Sequence, residues 1–229
     1  MNGLPLMADE GLVHVAIGSV ALDGNLLVPS GATGIVLFAH GSGSSRFSSR
    51  NRHVASTLRE GHLGTLLIDL LTPREEARDD ATAELRFDIG MLADRLVGTA
   101  EWIRAQPELR DMKLGLFGAS TGGGAALVAA ANRPKMIQAV VSRGGRPDLA
   151  GSALARVEAP TLLIVGGNDV PVIALNREAY DQMHCERRLE IVPGATHLFE
   201  EPGTLDEVAR LAVEWFVQHL PRAGAAATG

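Results

Sequence analysis

The sequence predicts an α/β architecture: a mostly parallel sheet that begins with an antiparallel hairpin and carries helices on both faces. Three observations lead to it. Short apolar runs recur at Gly34 to Ala39, Thr65 to Asp69, Lys113 to Phe117, Ala139 to Ser142, Thr161 to Val165 and Leu189 to Val192, each with the length of a strand buried on both faces. Amphipathic stretches separate these runs, as the crossovers between parallel neighbours require. Ahead of them, Leu12 to Pro29 alternates apolar and polar residues around Gly18 and again around Asp23-Gly24, the pattern of antiparallel strands joined by tight turns at a sheet edge.

The helical elements follow in order. Ile89, Leu92, Leu96 and Ile103 fall on one face at helical spacing, which places a long helix before the strand ending at Phe117. Gly123 to Ala131 is a small-residue helical stretch able to lie close to the sheet. In the last helix Thr204 and Glu207 have capping-box spacing, and Leu205, Val208, Leu211, Ala212, Trp215 and Phe216 form the buried stripe. Between Thr72 and Arg86 the chain mixes charges of both signs and reads as a mobile polar loop that either covers a site or is simply solvated. The tail after Pro221, residues 222–229, reads as a frayed end.

A chain of 229 residues with 46% hydrophobic content suits one domain spanning 1–229. Its 27 Asp and Glu against 21 Lys and Arg offer no long-range attraction to phosphate backbones, so nucleic acid is excluded as a partner. Cys185 is the single cysteine, which removes any intrachain disulfide and any need for an oxidising compartment. Met1 to Glu10 lacks a basic leader pattern, and no run approaches the roughly 18 apolar residues of a membrane span. The expectation is a cytoplasmic protein without membrane attachment; a homodimer is left open.

The chemistry concentrates at strand ends. Gly118-Ala119-Ser120-Thr121-Gly122 follows one strand and opens a helix, the context in which a G-x-S-x-G turn presents a strained, exposed serine. By itself that pattern is equally an ordinary turn. Gly194-Ala195-Thr196-His197-Leu198-Phe199 follows the last strand and precedes the last helix. Of the seven histidines, His197 alone lies at a carboxyl strand end after Ser120; His14, His53, His62 and His219 fall elsewhere, and His184 is a weaker rival. Gly166-Gly167-Asn168-Asp169 ends another strand, where open α/β sheets place their ligands. Asp169 alone would be a turn or cap residue. The order Ser120, Asp169, His197 makes a nucleophile, acid and base on separate loops of one sheet edge.

His40-Gly41-Ser42-Gly43 ends the strand Gly34 to Ala39, where backbone N–H groups of Ser42 and Thr121 can face a developing oxyanion. The same loop, with Asp69 after the next strand, mimics a dinucleotide fingerprint, but Arg46 holds the third glycine position and a hairpin precedes the strand. Arg46, Arg143 and Arg146 border the expected cleft. They are surface or structural charges on one reading; on the other, Arg143 and Arg46, with Phe199, contact substrate, and Arg143 holds a substrate carboxylate.

From the hairpin through the loop at His40 and the turn at Ser120 to His197, the chain resembles the α/β hydrolases, and within them the small dienelactone-hydrolase-like branch. The resemblance implies an eight-stranded, mostly parallel sheet without a large lid, and acyl transfer needing no cofactor and no metal. It implies Ser120, Asp169 and His197 as catalytic residues and a small ester or lactone as substrate. The namesake enzymes carry cysteine at the turn where this chain has Ser120, so a general esterase is an equal expectation. Peptidase or other acyl-hydrolase activity, and a non-catalytic ligand-binding scaffold, are the alternatives.

Overall fold

The computed structural model of the chain describes residues 10–221. The expectations for a leaderless start and for a frayed tail after Pro221 therefore fall largely outside the described residues. Eight strands form one sheet in the order β1-β2-β4-β3-β5-β6-β7-β8. They are β1 (Gly11–Ile17), β2 (Val20–Leu27), β3 (Gly34–Ala39), β4 (Leu63–Ile68), β5 (Lys113–Ala119), β6 (Ala139–Arg143), β7 (Thr161–Gly166) and β8 (Arg187–Val192). β1 pairs antiparallel with β2, and β2 antiparallel with β4. From β4 to β8 every pairing is parallel, and each run expected from its apolar residues is a strand, with ends shifted by a residue or two.

The hairpin differs in one respect. Only Gly18 makes the turn, at φ +57°; Asp23 and Gly24 lie inside β2 and pair with His14 and Val13. A glycine serves there for space, because a Cβ on Gly24 would stand 2.9 Å from Leu66 Cδ1.

Among the described residues six α-helices cover the sheet: α1 (Ser49–Glu60), α2 (Pro73–Thr82), α3 (Ile89–Ala105), α4 (Thr121–Asn132), α5 (Val170–Gln182) and α6 (Thr204–His219). Alternation within the central strands decides which side each residue faces. Val36 and Phe38 of β3 join Val54 and Leu58 of α1 and Val208 and Phe216 of α6 in one cluster. Ile35 and Leu37 join Leu96 of α3 and Leu127 of α4 on the opposite face. Phe38 and Phe117, on neighbouring strands, hold their rings 4.9 Å apart. Among the described residues no helix is long and apolar enough to cross a membrane.

Two expectations about helices are corrected. The segment expected as a loop from Thr72 to Arg86 holds α2 and a short 3-10 turn, Leu85–Phe87. Its helix is stabilised by ends and charges rather than by an apolar stripe. Thr72 and Glu75 form a capping box, and Glu75 also accepts a 2.6 Å bond from Arg95 of α3. α6, by contrast, lacks the expected capping box. Gly203 is its N-cap in a left-handed conformation with no side-chain bond, and Thr204 donates back to the Glu201 carbonyl at 2.8 Å.

Candidate active site

Ser42, Ser120, Thr121, Asp169 and His197 all lie in segments that follow the carboxyl ends of parallel strands, so the sheet brings them to one side. Ser120 follows β5 with φ +51° and ψ −123°, a conformation that costs a non-glycine residue on the order of 1–3 kcal/mol and persists only when its surroundings impose it. Here they do. The Ser120 N–H donates to the Arg143 carbonyl, its own carbonyl accepts from Gly123 and Arg146, and α4 starts at the next residue. The flanking glycines are demanded by close approach. A Cβ on Gly118 would stand 2.5 Å from the Gly122 carbonyl oxygen, and one on Gly122 would overlap the Ala39 and His40 carbonyls of the neighbouring loop.

His197 and Asp169 meet. Nδ1 of His197 lies 2.6 Å from Oδ2 of Asp169, with the aspartate side chain 12% and the histidine side chain 38% exposed. An N–H on Nδ1 donated to the carboxylate leaves Nε2 as the free, basic nitrogen, the arrangement a general base requires. The loop carrying the histidine is tied to the aspartate's loop by Asn168, whose N–H donates to the Ala195 carbonyl and whose side-chain amide donates to the Gly194 carbonyl. Gly144 links this loop to the elbow: a Cβ there would stand 3.6 Å from Cε1 of His197, and the preceding residue, Arg143, bonds Ser120.

The loop after β3 is held by His40, whose part the sequence did not reveal. Its Nε2 accepts the Leu70 N–H at 3.0 Å, so the proton sits on Nδ1, which donates to the Gly41 carbonyl at 3.0 Å. Burial pushes the imidazole pKa below its ordinary value, against the Gly41 bond and the negative charges of Asp69 and Glu76. A neutral ring thus ties the Gly41-Ser42 loop to the end of β4. Ser42 in turn donates its N–H to Oγ1 of Thr121 at 3.1 Å. A cleft beside this contact is lined by His40, Ser42, Leu70, Asp79 and Thr121, so α2, which carries Asp79, forms one wall. Asp79 is itself fixed, accepting from the N–H groups of Leu85 and Arg86 and from Nε of Arg86 at 2.6 Å.

The expected substrate-binding residues separate. Arg46 is taken up by structure: its guanidinium pairs with Asp69 and bonds Asn25 at 3.0 Å. Phe199 is buried, 1% exposed, in the cluster under α1 and α6. Arg146 pairs with Asp148. Arg143 is different. It is 7% exposed, its Nε and Nη1 have no partner among the described residues, and its guanidinium carbon lies 5.9 Å from the Phe199 ring centre. Burial, and then the charge of Arg50, lowers its pKa to about 10, so it stays charged at neutral pH. Among the described residues no group of His, Cys, Asp or Glu is arranged to hold a metal ion.

The chain is similar to several known proteins. The profile of the Dienelactone hydrolase family matches residues 22–219. The crystal structure of a dienelactone hydrolase from Anabaena variabilis is 63% identical, superposes with a TM-score of 0.91, and covers 93% of this chain and 98% of its own. Est1E from Butyrivibrio proteoclasticus shares the fold at 15% identity, with a TM-score of 0.75 over 91% of this chain and 98% of its own. A protein of Mycobacterium tuberculosis with the provisional name phosphoribosyl transferase is 55% identical over 216 residues, 94% of this chain but 48% of its own length. This chain spans about half the length of the curated relatives it matches.

Proposed function

The chain belongs to the dienelactone hydrolase family, and from that premise we propose that it hydrolyses small carboxylic esters or lactones through an acyl-enzyme on Ser120. One observation carries the reading: Asp169 and His197 pair at 2.6 Å on the same sheet edge that holds Ser120 in its strained turn. His197 takes the serine proton as Oγ attacks the carbonyl carbon, and Asp169 stabilises the imidazolium that forms. The N–H groups of Ser42 and Thr121 receive the oxyanion. Return of the proton to the leaving oxygen expels the alcohol, and water then repeats the sequence to release the acid. In a lactone the expelled alcohol stays attached to the acyl group, and the product is a hydroxy acid.

The test is direct. Purified protein turns over short aryl esters and is labelled at Ser120 by a fluorophosphonate, and Ser120→Ala abolishes both. A Ser120→Ala variant that keeps the wild-type rate would refute the mechanism. The phosphoribosyl transferase name belongs to relatives of about twice this length, and hydrolysis is the reading taken for the segment they share with this chain.

A finer reading concerns the substrate's charge. Arg143 is a buried guanidinium without a carboxylate partner among the described residues, and an unpaired buried charge is costly unless a ligand completes it. It supports a substrate that carries a carboxylate. Arg143→Ala then raises KM for acidic esters more than for neutral ones; equal effects would dispose of the assignment. The single cysteine suits operation in the cytoplasm.

A further inference from the structure

The oxyanion hole described above has one donor already occupied. Thr121 is the first residue of α4 and is 4% exposed. Its Oγ1 accepts the Ser42 N–H at 3.1 Å and also lies 3.1 Å from the Ser42 hydroxyl oxygen. An N–H has one proton to give, so the threonine oxygen stands where the substrate's carbonyl oxygen must come. A methyl group in its place would leave that N–H without an acceptor whenever the site is empty. Two facts fix the contact. The loop is pressed onto the turn so closely that a Cβ on Gly41 would stand 3.0 Å from the Ser120 Cβ, and His40 anchors the loop's base.

We propose that the Thr121 hydroxyl is a side-chain member of the oxyanion hole: it caps the Ser42 N–H in the empty site, then surrenders it to the oxyanion and donates its own proton to the same oxygen. The proposal rests on the hydrolase reading above. No proton changes owner. Two contacts, the Ser42 N–H donated to Thr121 Oγ1 and the hydroxyl–hydroxyl bond between Thr121 and Ser42, are exchanged for two bonds to the reacting oxygen, and a turn about χ1 suffices because threonine has two accessible rotamers in a helix. Acceptor strength sets the direction. A neutral ester carbonyl competes with a hydroxyl on near-equal terms, so binding gains little. An oxyanion accepts roughly twice as strongly, so the exchange becomes favourable only as charge develops, and Thr121 therefore acts on kcat rather than on KM.

Thr121→Val and Thr121→Ser, made in the full chain and assayed on a short aryl ester, test this. The valine variant is expected to lose roughly 10- to 100-fold in kcat with KM within about twofold, and its affinity for a trifluoromethyl ketone falls by a similar factor. Serine restores kcat to within about threefold of wild type, which a purely structural role for the methyl group would not produce. Should valine disturb packing, seen as a fall in Tm, Thr121→Ala gives the same comparison with space to spare. A valine or alanine variant with wild-type kcat, a loss confined to KM, or a serine variant as slow as valine overturns the proposal. Fluorophosphonate labelling separates the levels of failure: wild type that is neither labelled nor active overturns the hydrolase reading and this proposal together, whereas a labelled, active wild type with an equally active valine variant overturns this proposal alone.

Discussion

At the scale of single residues, the elbow concentrates both strain and contact. Gly122→Ala forces a methyl group into the Ala39 and His40 carbonyls, and overpacking of this kind costs about 1–3 kcal/mol. The expected result is a lower Tm together with loss of turnover, because the displaced loop carries Ser42. Asp169→Asn keeps the shape of the pair with His197 but supplies an amide that can donate to Nδ1. A wrong tautomer of this kind reduces kcat by roughly 10⁴-fold, and steady-state kinetics at neutral pH read it. His40 makes stability depend on pH. Its folded pKa is lowered, so below about pH 6.5, the ordinary histidine value, the unfolded chain binds a proton that the folded chain refuses. Stability therefore falls with acidification from about pH 6.5 down to the folded pKa. His40→Gln should flatten the dependence of Tm on pH in that window, the remaining slope including His219, whose pKa burial also lowers; an unchanged slope would exclude His40. The positions of Ser120, Asp169 and His197 after strand ends were legible because chain order and strand pattern are properties of the sequence. The separate fates of Arg46 and Arg143 were not, since pairing with Asp69, or with no carboxylate among the described residues, depends on contacts across the sheet.

At the scale of elements, legibility followed the apolar signal. The parallel strands and α3 bury continuous or periodic apolar faces, and their residues announce them. α2 has one buried residue, Asp79, and its hydrophobic content gives no period to find. The bonds of Thr72 and Arg95 hold Glu75 below its ordinary pKa although burial pushes it up, so charge pairing rather than burial secures this helix. Arg95, with its side chain 9% exposed, is the more deeply buried partner. Arg95→Met is expected to cost about 1.5–3 kcal/mol, the worth of hydrogen bonds to charged groups, and to expose residues 73–87 to limited proteolysis before the sheet is cut. Retained protection of that segment would assign its stability elsewhere. α6 taught the converse: Thr204 and Glu207 have the spacing of a cap, yet Gly203 at φ +78° turns the chain so that Thr204 faces backwards.

At the scale of the whole molecule, the two apolar layers share β3 and β5 at the middle of the sheet. Phe117 is fully buried against Phe38, and the strand that carries it leads directly into Ser120. Phe117→Ala is expected to destabilise by about 3–5 kcal/mol and to lower the midpoint of denaturant unfolding. If activity and fold are lost together along that transition, the site has no stability of its own apart from the sheet. One of the two edge strands, β8, has a neighbour on one side only among the described residues, and its residues include Arg187, Arg188 and Glu190, with Arg188 paired to Glu190. A second sheet docking against that edge would have to bury these charges. The molecule thus carries its own guard against aggregation through its last strand, and a variant stripped of those charges would turn cloudy on concentration while still folded.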